Sequence, residues 1–195
     1  MIYLDYQATT PLAPEAFEAM LPWLRDQHAN PHSPHRAGRA ARAAVEVARS
    51  RILAALEAAD AASSGTGPRS PAPSGRLFFT SGATEAANWA IRGSFARLGK
   101  ERPKVVTIAT EHACVLDSCR ALEAEGAEVV VLPVGRDGLV DRAAAEAAID
   151  GSTAVVAAML VNNEIGVVQP IEWLGDLARR AGALMFCDAV QGWGR

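Results

Sequence analysis

Between residues 76 and 188 short apolar runs alternate with stretches of helical period, and this alternation limits the folds open to the chain more than any single motif does. The runs at 76–80, 104–109, 128–132, 153–161 and 183–188 are rich in Val, Ala, Ile, Leu and Phe, and none is long enough to cross a bilayer. Continuous apolar runs of this length predict strands buried on both faces. Helices are predicted between them, over 83–98, 114–125, 141–149 and 171–181, with Asp141 placed as an N-cap. Strand–helix alternation on this scale predicts an α/β fold, a mostly parallel sheet with helices on both faces.

The first third of the chain reads differently. Residues 14–26 and 37–59 have helical spacing, with Pro14 suited to a first turn, and 27–36 form a loop rich in His, Pro and Asn. Residues 61–75, which include Ser-Ser-Gly-Thr-Gly-Pro-Arg-Ser-Pro-Ala-Pro-Ser-Gly, have almost nothing to bury. They are expected to form a flexible surface insertion within one domain. Half of the 195 residues are hydrophobic, which suffices for one sizeable core.

Several function classes are set aside by composition. The net charge is −3 and the arginines are scattered over helix faces, so no nucleic acid partner is expected. Met1 leads into Ile-Tyr-Leu-Asp-Tyr with no basic leader and no long apolar segment, so neither secretion nor a membrane is indicated. Cys114, Cys119 and Cys187 are odd in number and form no CxxC pair, which fits a reducing cytoplasm and three structural thiols. His28, His32 and His35 have no companion carboxylate or thiol, and no metal site is expected.

In parallel sheets ligands bind beyond the carboxyl ends of the strands, so chemistry is sought there. Ser81-Gly82-Ala83-Thr84-Glu85 opens a helix with small residues, and backbone N–H groups and the Thr84 hydroxyl suit a phosphate; capping by Ser81 or Thr84 is the alternative. No GxGxxG or Walker motif occurs, which disfavours a nucleotide-binding module. His112, after residues 104–109, can stack on a planar ring and carry protons. Asn162 and Asn163 bring amides to the next strand end, unless they serve a left-handed turn. Asp188 ends an apolar strand and is expected to be well buried, which requires a cationic or hydrogen-bonded partner; capping the next helix is the alternative. Phosphate cup, stacking group, amide and buried acid together suit a phosphorylated pyridine.

These residues carry a resemblance to the cysteine desulfurases, class V aminotransferase-like enzymes with the pyridoxal-phosphate transferase large-domain fold. It begins with Tyr-Leu-Asp-Tyr-Gln-Ala-Thr-Thr-Pro at residues 3–11. It continues through Asn-Pro-His-Ser-Pro-His-Arg-Ala-Gly-Arg at 30–39, Phe-Thr-Ser-Gly-Ala-Thr-Glu at 79–85 and Thr-Glu-His-Ala-Cys-Val-Leu at 110–116. Val-Asn-Asn-Glu-Ile-Gly at 161–166 and Asp-Ala-Val-Gln at 188–191 complete it. The resemblance implies that Ala83 and Thr84 hold the phosphate of pyridoxal 5'-phosphate. It implies that His112 stacks on the ring and moves protons, that Asn163 lies beside the ring and its phenolic oxygen, and that Asp188 pairs with the pyridine nitrogen. Gln191 hydrogen-bonds the phenolic oxygen, while Asn30 and His35 belong to a nearby loop. It further implies L-cysteine as substrate, L-alanine and an enzyme persulfide as products, a homodimer, and a sulfur acceptor such as an iron–sulfur scaffold.

The chain departs from that pattern in one respect. The family's cofactor lysine lies some two dozen residues beyond the aspartate, whereas only seven residues follow Asp188, and Lys100 and Lys104 sit toward the opposite strand ends. The loop cysteine that carries the persulfide and the small carboxy-terminal domain lie further on still. The expectation is an amino-terminal portion of the large domain, inactive alone, as a fragment, a split half or a degenerate paralogue. Selenocysteine lyase, an aminotransferase of the same fold type, and a non-catalytic dimerisation or binding partner are the alternatives.

Overall fold

Glycine and proline punctuate the amino-terminal third, and helices form where they are sparse. The computed structural model describes residues 2–64 and 75–193. The chain divides into two units, Met1–Phe79 and Thr80–Arg195. In the first, α1 (Pro14–Arg25) starts on its proline and α2 spans Arg36–Ser64. Between them Asn30 Oδ1 accepts the His32 N–H at 2.9 Å and His35 Nδ1 accepts the Gly38 N–H at 3.2 Å. Gly38 is pressed against this loop: a Cβ there would lie 2.3 Å from the Ser33 carbonyl oxygen, so no side chain fits. The helix predicted to end at Ala59 runs on to Ser64, into the expected insertion, whose residues 65–74 lie outside the described residues.

Residues 76–80 are not a strand, contrary to the sequence expectation. A strand exists only through a ladder with a neighbour. Among the described residues no segment pairs with this one, and Phe78 and Phe79 are exposed.

The second unit is built on four parallel strands, ordered β2-β1-β3-β4. They are β1 (Lys104–Ile108), β2 (Glu128–Leu132), β3 (Thr153–Met159) and β4 (Leu184–Asp188). The central pair, β1 and β3, is buried along its whole length. Side chains alternate across a strand, so adjacent valines serve opposite faces. Val105, Val155 and Ala157 pack with Ala87 and Ile91 of α3 (Ala83–Leu98) and with Val115, Cys119 and Leu122 of α4 (Ala113–Ala124). Val106, Ile108, Val156 and Ala158 pack on the other side, with Ala145 of α5 (Arg142–Ala148) and Leu174 and Ala178 of α6 (Ile171–Ala181). Each fully buried Val, Ile or Leu contributes about 1.5–3 kcal/mol, so the two faces supply most of the cohesion.

Helix ends in this unit obey local chemistry. Asp141 caps α5 by accepting the Ala144 N–H at 2.9 Å, as its position in the sequence predicts. Gly182 closes α6 at φ 74°, a left-handed conformation that glycine adopts without penalty. At the amino ends of the strands Lys104 is buried, and its Nζ donates to the Ala148 carbonyl at 3.1 Å and to Asp150 Oδ2 at 2.7 Å.

Candidate functional site

Loops that follow the carboxyl ends of β1, β3 and β4 gather at one edge of the sheet, and the first turn of α3 approaches the same edge. That last placement follows from connectivity. α3 touches β3 and β4 and passes to the amino end of β1 through the short segment 99–103, so it runs back along the strands. Gly82 occupies its N-cap position in extended backbone, with no side-chain cap. Ser81 and Thr84 therefore do not cap the helix. Instead Glu85 takes both Ser81 donors, its Oε2 accepting the N–H at 2.6 Å and the hydroxyl at 2.7 Å. Those bonds hold the Glu85 carboxyl below the usual carboxylate range. Ala83 and Thr84 are exposed, and the first N–H groups of a helix have no partners within it, so this turn is open to an anion.

His112 is the N-cap of α4, a role the sequence expectation missed by starting that helix at Cys114. Its Nδ1 accepts the Cys114 N–H at 3.2 Å and lies 3.1 Å from the Cys114 sulfur, while the residue as a whole is exposed. The preceding Glu111 is buried and was not singled out from the sequence. It reaches across to β3, where its Oε1 accepts the Met159 N–H at 2.6 Å. Burial pushes its carboxyl up to about 8 against the pull of that bond, and the charge of Asp188 adds to the rise.

Beyond β3, Asn162 is buried and its side chain bonds four ways, one of them from Nδ2 to the Met159 sulfur at 3.2 Å. Its Nδ2 donates to the Thr110 carbonyl at 2.7 Å, and its Oδ1 accepts the N–H groups of Glu164 and Ile165 at 2.8 and 2.9 Å. A left-handed asparagine is not the explanation of this turn. Among the described residues no non-glycine residue has positive φ, and Gly166 takes that conformation at 67°. Asn162 thus ties the β1 loop to the β3 loop and leaves Asn163, half-buried, beside it, with its Nδ2 on Glu164 Oε1 at 2.9 Å.

Asp188 ends β4 in register with Met159, and its carbonyl accepts the Leu160 N–H at 2.8 Å. It is half-buried rather than well buried, because β4 is an edge strand of this sheet. Its Oδ1 accepts the Val190 N–H at 3.0 Å, which settles the loop locally instead of capping a helix. Gln191, half-buried, lies in the turn that follows. Cys187 precedes Asp188 and so faces the other side of the strand.

The thiols lack the marks of a nucleophile. Cys114 and Cys119 are buried, and burial raises both, Cys119 to about 11, with the negative field of Glu111 adding to each. The edge thus offers a helix start with no side-chain cap, an imidazole plane, an amide and a half-buried carboxylate.

The chain matches the model of the aminotransferase class-V family over residues 2–195. It is 44% identical to a cysteine desulfurase IscS of Rickettsia felis over its whole length, and spans 44% of that relative. Among solved structures it resembles a NifS-like protein with a TM-score of 0.86 at 31% identity, covering 100% of this chain and 50% of that one. It also resembles SspA in complex with cysteine, with a TM-score of 0.78 at 33% identity, covering 98% and 51%. A match that takes in the sheet, both helix layers and every strand-end loop places the chain in the aminotransferase class-V family.

Proposed function

We propose that this chain forms part of a pyridoxal-phosphate-dependent cysteine desulfurase, both of its units belonging to one cofactor-binding large domain. The observation that carries the reading is the position of Asp188. It is a half-buried carboxylate at the end of β4, on the same sheet edge as an uncapped helix start and the exposed ring of His112. The donor set fits the group: a phosphate needs unclaimed N–H groups, and a pyridinium needs a carboxylate. The sequence of the relatives, named cysteine desulfurases, supports the choice of reaction, as does a neighbour solved with cysteine.

When bound, pyridoxal phosphate withdraws electrons from the substrate α-carbon. The Ala83 and Thr84 N–H groups and the Thr84 hydroxyl bind the phosphate, aided by the positive end of α3. His112 would stack on the ring, Asn163 and Gln191 would serve its phenolic oxygen, and Asp188 would keep a proton on the pyridine nitrogen by placing negative charge beside it. In the complete reaction L-cysteine and an enzyme thiol give L-alanine and an enzyme persulfide. The thiol is not Cys114 or Cys119, which are buried and protonated. The protein acts in the cytoplasm as a homodimer and passes sulfur to an acceptor such as an iron–sulfur scaffold.

Titration of the whole chain with pyridoxal phosphate, followed by absorbance, tests the site. Asp188→Asn and Thr84→Ala are each expected to weaken binding about tenfold or more, since hydrogen bonds to charged groups contribute about 1.5–3 kcal/mol. Unchanged affinity in Asp188→Asn overturns the assignment. In the product of the full reading frame, with a dithiol reductant present to release the persulfide sulfur, L-cysteine should yield alanine and sulfide; an oxo acid instead would mark an aminotransferase.

A further inference from the structure

His112 meets Cys114 twice at a single nitrogen. The Cys114 backbone N–H points at Nδ1 from 3.2 Å, and the Cys114 sulfur lies 3.1 Å from the same atom. A backbone N–H can only donate, so Nδ1 must present a lone pair, and the ring proton of the neutral imidazole sits on Nε2. The assignment comes from the hydrogen-bond partners, which fix a tautomer as surely as they orient a ring. With Nδ1 as acceptor, the thiol contact is S–H donating to nitrogen.

We propose that Cys114 is a positioning residue for His112: its backbone and thiol together hold the ring as the Nε2–H tautomer at the start of α4. Three observations support it beyond the two distances. Cys114 is buried, so its thiol does not exchange partners with water. Burial, with the charge of Asp188, keeps the sulfur protonated and therefore a donor. The next turn of α4 locks the residue, with Ser118 Oγ donating to the Cys114 carbonyl at 2.6 Å.

For the site, the consequence rests on the reading that His112 lies against the ring. In this tautomer His112 offers a neutral plane and an N–H donor at Nε2. It accepts a proton there only after the cap at Nδ1 is broken. His112 is thereby fitted to stack and donate, and is a base only at the expense of the helix start.

The experiment is long-range proton–nitrogen correlation spectroscopy on the whole nitrogen-15-labelled chain without cofactor, so that its result is independent of cofactor binding. The chain has four histidines, and His112→Asn identifies the relevant signals. Wild type is expected to show a protonated Nε2 and an imine-type Nδ1. Cys114→Ala should displace the Nδ1 resonance toward that of a free imine nitrogen, and Cys114→Ser, which restores a donor, should bring it back. A protonated Nδ1 in the wild type overturns the proposal, as does an Nδ1 resonance that Cys114→Ala leaves in place. Should the alanine variant not fold, Cys114→Val, which fills the buried space without a donor, should make the same displacement, and an Nδ1 resonance that it leaves in place overturns the proposal.

Discussion

Glu111 and Met159 join two strand ends: the carboxyl Oε1 accepts the Met159 N–H at 2.6 Å, while Oε2 has no hydrogen-bond partner among the described residues. A buried carboxyl with one oxygen unmatched is far better accommodated neutral than ionised. Its folded value of about 8 lies above the ordinary carboxyl value of 4.5. The folded state therefore holds a proton that the unfolded state releases between those values. The stability this confers is fully present below about 4.5 and is lost as pH rises through about 8. At about 1.4 kcal/mol per unit, the loss is on the order of 3–5 kcal/mol. Glu111→Gln, which does not titrate, should flatten the fall in denaturation free energy between about pH 5 and pH 9 by roughly one proton. Equal slopes in the two proteins would show that Glu111 ionises normally.

Lys104 gives an opposite pH signature. Its Nζ lies 2.7 Å from Asp150 Oδ2, and that contact, with two bonds from Ser152, holds the Asp150 carboxyl well below its ordinary value of 3.8. A depressed acid contributes stability above the unfolded value and loses it as pH falls. Lys104→Met keeps the buried stem and removes the charge. It should be less stable than wild type at neutral pH, and the gap should close as pH drops below 3.8. Acid titration of denaturation midpoints for both proteins checks it, and a gap that stays constant would rule out the ion pair as its source.

How much of this was legible beforehand depended on whether the cause was local. The runs 128–132 and 171–181 match β2 and α6 residue for residue, because their burial pattern and flanking turn residues are encoded within them. The run at 153–161 overshoots β3 by two residues. Val161 leaves the ladder to bridge Val168 in an antiparallel pair, and an apolar residue looks the same in either role. Residues 76–80 have the composition of a strand but join no ladder among the described residues, and pairing is not a property of one segment. The candidate residues themselves fall on one sheet edge because strand–helix alternation dictates it. The supports around them were hidden for a different reason. Histidine is not among the preferred N-caps, so nothing marked His112 as one. Glu111 and Asn162 owe their burial to contacts 48 and 52 residues away in sequence, which no local pattern reports.

Gln169 is the last such support, and the most readily tested by stability alone. It is 2% exposed, and it spans from the segment after β3 to the loop before α5. Its Oε1 accepts the Val140 N–H at 3.0 Å and its Nε2 donates to the Gly138 carbonyl at 2.8 Å. Gly138 sits at φ 77°, with Ile165 and Val167 already within contact distance of any Cβ placed there, so this loop has little room to find other partners. Removing the amide leaves a buried N–H and a buried carbonyl unmatched, each at about 1–3 kcal/mol when no water replaces it. Gln169→Ala should therefore destabilise the chain by about 2–4 kcal/mol in urea denaturation. Gln169→Glu keeps the acceptor for Val140 but sets a buried carboxylate against the Gly138 carbonyl, and should do at least as badly near neutral pH while recovering as the carboxyl protonates in acid. A Gln169→Ala variant within about 0.5 kcal/mol of wild type, the range of ordinary surface changes, would mean that the two loops are held by packing and not by this amide.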